Sequence, residues 1–219
     1  MTDVEALYDY RFSEAERLRK DRLWRVLCQQ FLQKYVRPTD TVLDVACGLG
    51  EFSRHIRASR RIAVDLNPAA RGLLSEPIEF HLGSARDLGF LGDALVDLAF
   101  SSNFLEHLPD KAAIDAVLHE VKRVLKPGGR YMVIQPNVRY AYREYWDFYD
   151  HHTALSHLSC SEAFTLAGFE VEEVIARFLP FTTKTSAPSH PALLRVYLGL
   201  PPLWRFFGKQ FLQVGSKPA

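Results

Sequence analysis

Val42-Leu43-Asp44-Val45-Ala46-Cys47-Gly48-Leu49-Gly50-Glu51-Phe52 is the stretch that decides the fold. An apolar run gives way to small residues at alternate positions, Ala46, Gly48 and Gly50, before an amphipathic segment resumes. This order predicts a buried strand, a tight turn and a helix. Small residues let a ligand lie against the backbone, and the N–H groups at the helix start suit a carboxylate or a phosphate.

The spacing of the small residues bears on which ligand the turn binds. A dinucleotide fingerprint requires G-x-G-x-x-G, but Ser53 stands three residues after Gly50, and this disfavours NAD. The stretch instead resembles motif I of the class I S-adenosylmethionine-dependent methyltransferases, an acidic residue followed by G-x-G-x-G, with alanine at the first glycine. The resemblance implies that four residues bind S-adenosylmethionine: Asp44, Ala46, Gly48 and Gly50.

The next apolar run ends in a carboxylate, Asp65, which Leu66 follows. An acidic side chain at the tip of a second strand can accept hydrogen bonds from both ribose hydroxyls. We therefore expect Asp65 to bind the ribose, and we include Leu66 in the predicted cofactor site. Asn67 before Pro68 predicts the N-cap of the following helix.

Two later segments extend the resemblance. The sequence G-S-A-R-D-L-G-F is close to the family's G-D-A-x-x-L-P-F, with serine at the acid position, so we expect Ser84 and the Ala85 amide to hold the adenine. Ser101 and Asn103 follow the fourth apolar run, Val96–Ser102, at the end of a strand where ligands bind in open α/β sheets.

The sequence after this strand, N-F-L-E-H-L, looks like the family's E-H-L signature. We interpret Glu106 and His107 as capping and packing residues at the crossover into the next helix, ahead of a direct catalytic role. That helix is predicted to end at the breakers Lys126-Pro127-Gly128-Gly129.

The alternation of strand and helix through five strands predicts a parallel, doubly wound α/β sheet. The resemblance, which covers about residues 40 to 135, implies the Rossmann-like class I methyltransferase fold, with a sixth strand at Phe169–Ile175 and an antiparallel last strand at Gln210–Val214. A helix before this strand pair is predicted to be capped at Ser159-Cys160-Ser161-Glu162. We predict a single domain over 1–219, with a helical arm at 1–38 and an insertion at 180–208 that acts as a lid or a dimer element.

Aromatic side chains crowd together after the fifth strand, between Tyr140 and Tyr149. They lie beyond the carboxyl end of that strand, which favours an aromatic-walled acceptor pocket. Arg139 and Arg143 are suited to orient a carboxylate or phosphate there, and Tyr142 and Trp146 complete the predicted acceptor site.

Methyl transfer requires no covalent nucleophile, but a hydroxyl acceptor needs a base for its proton. A histidine titrates near neutral pH, and Asp150 stands beside His151 and His152, so these two histidines are the predicted catalytic residues. The alternative is a metal bound by Asp150, His151, His152 and His157. Because their spacing is loose, we predict no metal.

Composition limits the partners. The 219 residues carry a net charge of only +1 without basic tracts, which disfavours a nucleic-acid partner. The acidic start lacks a signal core and no apolar run reaches the ~18 residues of a bilayer span. The cysteines, Cys28, Cys47 and Cys160, form no C-x-x-C pair, so we expect a cytoplasmic protein without stable membrane insertion, with a homodimer left open.

The leading hypothesis is methyl transfer from S-adenosylmethionine to a small molecule. The stand-alone bacterial methyltransferases of cell-surface glycan synthesis, which the chain also resembles, suggest a sugar or glycan-precursor hydroxyl. The alternatives are a methyltransferase of protein or RNA, and a non-catalytic nucleoside-binding module with the same fold. An NAD oxidoreductase is disfavoured by the glycine spacing.

Overall fold

A computed structural model describes residues 13–74, 77–181 and 190–219. The strands are β1 Thr41–Val45, β2 Arg60–Asp65, β3 Ile78–Leu82, β4 Val96–Ser102, β5 Leu125–Pro136, β6 Glu170–Ile175 and β7 Gln210–Ser216. The α-helices are α1 Glu14–Gln30, α2 Glu51–His55, α3 Ala70–Leu73, α4 Lys111–Val124, α5 Val138–Ala141, α6 His157–Leu166, α7 Pro191–Leu198 and α8 Pro201–Phe207.

The chain divides into two compact units. The described residues up to Ser84, together with 190–200, form the first unit, and 85–181 with 201–219 form the second. The sheet has seven strands, three in the first unit and four in the second. The single domain over 1–219 stays a prediction, and the first twelve residues of the predicted arm lie outside the described residues.

Helix α1 opens the described part of the first unit. Its capping box is complete, because the Ser13 hydroxyl accepts a hydrogen bond from the Glu16 N–H and the Glu16 carboxylate accepts one from the Ser13 N–H. Val26 and Leu27 are buried, and α7 packs against α1. The helix predicted in this part of the chain is therefore present.

Three parallel strands form the sheet of the first unit, in the order β3-β2-β1. Val45 at the end of β1 pairs with Val64, next to Asp65 at the end of β2. Parallel strands end at the same edge of a sheet, so the turn after β1 and the Asp65 carboxylate are brought side by side.

Four strands form the sheet of the second unit, in the order β4-β5-β7-β6. Strands β4 and β5 are parallel, and β7 lies antiparallel between β5 and β6. The predicted fold class, mostly parallel with an antiparallel last strand, is confirmed. The final strand extends two residues beyond its predicted end, to Ser216.

Two predicted boundaries are wrong. Helix α4 ends at Val124, and the predicted breakers already belong to β5. Gly128 keeps the left-handed φ of a turn, 73°, while its N–H donates to the Lys217 carbonyl and the Lys217 N–H donates to the Gly129 carbonyl, so a tertiary pairing draws the turn into the strand. Helix α6 is capped by Ser156, three residues earlier than predicted.

The predicted insertion at 180–208 holds two short helices, α7 in the first unit and α8 in the second, while 182–189 lie outside the described residues. Its role as a lid or dimer element stays a prediction. Across the described residues, none of the helices combines the length and apolarity needed to cross a membrane.

Candidate active site

The turn between β1 and α2 is built from left-handed backbone. Ala46, Gly48 and Gly50 have φ angles of 55°, 57° and 75°. Glycine adopts this conformation without strain, whereas alanine carries a cost there, which explains why glycines dominate the motif. The Cys47 N–H donates to the Val64 carbonyl at 3.0 Å and fixes the turn to β2.

The buried side chain of Asp44 positions this turn. It is 3% exposed, and its carboxylate accepts hydrogen bonds from the Ser53 hydroxyl at 2.7 Å and the Ser53 N–H at 3.2 Å. Burial raises the pKa of Asp44 to about 7 against these bonds. The side chain that the sequence assigned to the cofactor therefore holds helix α2 against β1.

The Asp65 carboxylate is fixed at the edge of the turn. It accepts hydrogen bonds from the Gly48 N–H and the Asn67 N–H, each at 2.7 Å. Burial raises the pKa of Asp65 above its ordinary value, while these two bonds oppose the rise. Each oxygen keeps a second acceptor site, so the carboxylate can still receive ribose hydroxyls.

Leu66, directly after this carboxylate, is 63% exposed. An apolar side chain held in the open beside a fixed acid matches a nucleoside, which has hydroxyls on its sugar and an apolar face on its base. The residues of the first unit thus fit S-adenosylmethionine. Asn67 accepts a hydrogen bond from the Ala69 N–H, but helix α3 begins at Ala70, so the predicted N-cap at Asn67 is wrong by two residues.

The remaining predicted cofactor residues differ in exposure. Ser84 is half-buried and Ala85 is buried. The Ser101 hydroxyl lies 2.8 Å from the hydroxyl of Tyr131 and is fully buried, which leaves only its backbone for a ligand. Asn103 is exposed in left-handed backbone, with φ of 48°. Their roles at the cofactor stay predictions.

The predicted acceptor residues lie on an exposed segment of the second unit. Tyr142 and Trp146 are 59% and 56% exposed, and Arg139 is exposed as well. Arg143 donates to the Tyr142 hydroxyl at 3.1 Å. Only Tyr145 among the nearby aromatic residues is fully buried. The four predicted contacts with an acceptor stay predictions.

A buried acid and a histidine lie behind this segment. Glu106 is 1% exposed, and neither carboxylate oxygen has a hydrogen-bond donor among the described residues. His107 Nδ1 lies 3.0 Å from the Asp150 carbonyl and 3.1 Å from its Oδ2. Because a carbonyl can only accept, Nδ1 carries the proton and Nε2 faces Glu106 Oε1 at 3.9 Å.

The charged groups in this cluster shift one another's pKa values. Burial raises the pKa of Glu106 to about 7, against the opposing effect of His107. Burial also acts to lower the pKa of His107, but the hydrogen bond with Asp150 and the charge of Glu106 outweigh it and raise the pKa to about 9. Glu106 caps no helix, since Asp110 caps α4, so the capping interpretation is wrong.

The two predicted catalytic histidines occupy different environments. His151 is 7% exposed, stacks on Phe148 and lies edge-on to His107, with ring centroids 4.8 and 5.0 Å apart. His152 points its exposed side chain elsewhere, while its N–H donates to the Glu106 carbonyl at 2.8 Å. The structure thus brings His151, and not the His152 ring, to Glu106 and His107.

The alternative metal set, Asp150, His151, His152 and His157, does not come together as a group. His157 Nδ1 accepts a hydrogen bond from Asn137 at 2.9 Å and its ring stacks on Tyr140. Sequence reasoning did not place Glu106 and His107 in the site. The E-H-L signature was the signal that could have found them.

Comparisons with known proteins agree with the predicted fold class. Residues 43–133 match the family model described as a methyltransferase domain. An uncharacterised methyltransferase of Schizosaccharomyces pombe is 34% identical over 126 residues, 48% of this chain and 44% of the relative. A ubiquinone/menaquinone biosynthesis C-methyltransferase of Brucella anthropi is 34% identical over 128 residues, 52% and 47% of the two chains.

Solved structures share the fold over the whole chain. The complex of the Haloferax volcanii Trm112 methyltransferase activator with a candidate methyltransferase matches with a TM-score of 0.72 at 24% identity, covering 100% of this chain and 99% of that one. A SAM-dependent methyltransferase from Archaeoglobus fulgidus matches with a TM-score of 0.66 at 18% identity, covering 99% and 100%. The two curated relatives above are matched over a little less than half their length.

Proposed function

We propose that the chain is a class I S-adenosylmethionine-dependent methyltransferase and that it transfers a methyl group from S-adenosylmethionine to a small-molecule acceptor. The observation that supports this most is the Asp65 carboxylate, fixed by the Gly48 and Asn67 N–H groups beside the exposed Leu66. S-Adenosylmethionine supplies a methyl group on a positively charged sulfur.

The chain's own residues contribute binding and positioning. Asp65 accepts hydrogen bonds from the ribose, and the Gly48 turn lets the amino-acid end lie against the backbone. Holding donor and acceptor in a near-attack geometry is worth up to ~7–11 kcal/mol, so this alignment is the larger part of catalysis.

The acceptor is a hydroxyl that loses its proton as the methyl group arrives. His151, buried against Glu106 and His107, is the proposed base, and the exposed His152 is the second candidate. A sugar or glycan-precursor hydroxyl remains the proposed acceptor class. Because curated relatives include quinone-pathway methyltransferases, a quinol precursor is the second class to assay.

Calorimetric titration with S-adenosylmethionine, its demethylated product and NAD tests the cofactor assignment. We expect binding of the first two only, and Asp65→Asn to weaken it at least tenfold because the amide places a donor against the Gly48 N–H. Glu79→Gln is the matched control, since this carboxylate lies on the neighbouring strand and pairs with Arg60 at the surface. NAD binding, or an unchanged affinity in Asp65→Asn, would contradict the proposal.

Turnover separates the enzyme from a module that only binds the nucleoside. With a panel of sugar, quinol, protein and RNA acceptors we expect methylation of a small molecule alone. His151→Ala and His152→Ala should lower kcat without changing cofactor affinity. Methylation of protein or RNA, or cofactor binding with no turnover on any class, would exclude the small-molecule reaction.

A further inference from the structure

Glu106, His107 and His151, which we call the Glu-His-His cluster, bring one ligand atom each to within 4.8 Å of the others. Two of them are adjacent in sequence and the third comes from the loop before α6. All three belong to the second unit. We propose that this cluster binds a divalent transition-metal ion.

The Glu106 carboxylate is the first argument. It is 1% exposed, and among the described residues no donor satisfies either oxygen. A buried carboxylate without hydrogen bonds is costly, and the opposed His107 Nε2 at 3.9 Å is too distant to satisfy it. A cation held between the two groups would satisfy the carboxylate and the ring nitrogen together.

The orientation of His107 is the second argument. A metal-binding histidine usually donates its other ring N–H to a carboxylate or a backbone carbonyl, which fixes the ring and its tautomer. His107 Nδ1 donates to the carbonyl and the carboxylate of Asp150 in this way, and its Nε2 points into the cluster. Asp150 is therefore a positioning residue for the site.

The backbone around the cluster is already fixed. The Glu106 carbonyl accepts hydrogen bonds from the N–H groups of His152 and Thr153, and the Thr153 hydroxyl donates to the Leu108 carbonyl at 2.8 Å. The His151 ring is packed against Phe148 and Tyr145. A tetrahedral ion with Zn–N and Zn–O distances of ~2.1 Å holds its ligand atoms about 3.4 Å apart, so ligand atoms now up to 4.8 Å apart need to approach by up to about 1.4 Å.

The donor chemistry selects the class of ion. Two imidazoles and one carboxylate suit Zn²⁺ or Mn²⁺, whereas Mg²⁺ and Ca²⁺ prefer sets made of oxygen. Three protein ligands leave coordination positions open, as catalytic sites do. If the proposed methyl transfer holds, on which this last step rests, an acceptor oxygen would occupy an open position, where the ion would favour its deprotonated form. With the ion bound, His151 would act as a ligand and not as the base, and the proton of the acceptor would pass to solvent.

Metal binding by the full chain, stripped with a chelator and free of any tag, tests the inference. Calorimetric titration should show one Zn²⁺ or Mn²⁺ per chain and no comparable Mg²⁺ binding. Glu106→Gln keeps the shape of the side chain but removes the charge, and should weaken the affinity at least tenfold. Asp150→Asn should weaken it 10-fold to 100-fold through His107.

His119→Ala is the control, because this histidine is exposed on α4 and its ring bonds to the Asp115 carbonyl of the same helix. The metal affinity of His119→Ala should equal that of the original chain. Co²⁺ absorption in the visible range gives a second readout, and it should disappear in Glu106→Gln. Circular dichroism checks that each variant is folded. If Glu106→Gln does not fold, the metal affinity of Asp150→Asn tests the site instead.

The outcomes separate this inference from the proposed function. Glu106→Gln should keep its affinity for S-adenosylmethionine while losing the metal, and Asp65→Asn should do the reverse. Absence of metal binding by the original chain, or binding that neither Glu106→Gln nor Asp150→Asn weakens, overturns the metal site and leaves the cofactor site intact.

Discussion

Gly50 shows how a single residue serves both the turn and the packing. Its φ is 75°, and a Cβ added there would lie 2.2 Å from Leu74 Cδ2. Gly50→Ala should lower the free energy of unfolding by about 2–4 kcal/mol, because left-handed backbone and overpacking both oppose the methyl group. Urea denaturation measures the change.

Gly72 in α3 is the matched control for this substitution. A Cβ there meets nothing within 4 Å. Gly72→Ala should leave the free energy of unfolding unchanged or raise it by about 0.5–1 kcal/mol. Equal losses of stability in the two variants would mean that stability does not depend on the left-handed backbone and close packing at Gly50.

Asp44 links the stability of the turn to pH. Burial raises its pKa from 3.8 to about 7 in the folded chain, so between these values the folded state holds a proton that the unfolded state has released. The stability contribution of Asp44 therefore falls as pH rises through this window. Asp44→Asn removes the effect. As pH rises through this window, the unfolding free energy of Asp44→Asn should increase relative to that of the original chain by up to about 1.4 kcal/mol per pH unit.

Denaturation between pH 4 and pH 8 measures this difference. Glu79→Gln serves as a control of opposite sign, because its bond to Arg60 lowers the pKa of Glu79 and its contribution is lost as pH falls. Parallel stability curves for Asp44→Asn and the original chain would contradict the raised pKa of Asp44.

At the scale of the element, Thr153 holds the loop before α6 in place. The buried Thr153 hydroxyl donates to the Leu108 carbonyl, and the Tyr145 hydroxyl donates to the Thr153 carbonyl. Thr153→Val removes the first bond and leaves a buried carbonyl unsatisfied. We expect a loss of about 1–3 kcal/mol in unfolding free energy, together with lower turnover in the proposed methyl transfer as the proposed base His151 loses its support.

Thr165→Val is the control for the loop. The Thr165 hydroxyl bonds to the Ser161 carbonyl on the exposed face of α6, where loss of the bond should change stability by less than about 0.5 kcal/mol. If thermal denaturation shows the two variants to be equally stable, the loop does not depend on the Thr153 bond.

The three cysteines report on the molecule as a whole. Cys28, Cys47 and Cys160 are buried free thiols, and burial raises the pKa of each. The reactive thiolate is therefore scarce and shielded. A thiol reagent should label none of them within minutes in the folded chain and all of them in denaturant.

Mass spectrometry of the labelled peptides assigns each site. S-Adenosylmethionine should slow the labelling of Cys47, which lies in the glycine turn, because a ligand at ~100 times its Kd stabilises the bound state by ~2.7 kcal/mol. Fast labelling of Cys47 that the cofactor does not slow would argue against binding at this turn.

The sequence by itself determined the order of the elements and the proposed cofactor residues of the first unit. Small residues at 46, 48 and 50, a buried strand before them and Asp65 after the next strand are local signals, and parallel pairing of adjacent strands brings them together without long-range information. The predicted start of β5 failed because a distant residue, Lys217, supplies hydrogen bonds to the glycines of that strand.

Only the tertiary structure decided the composition of the Glu-His-His cluster in the second unit. His107 and Asp150 are 43 residues apart, and no periodicity pairs them. Folding placed His151 against Glu106 and left the adjacent His152 in solvent, because one residue along an irregular loop reverses the direction of a side chain. Local preference fixes what a residue can do, whereas burial and its partners fix which of those roles it has.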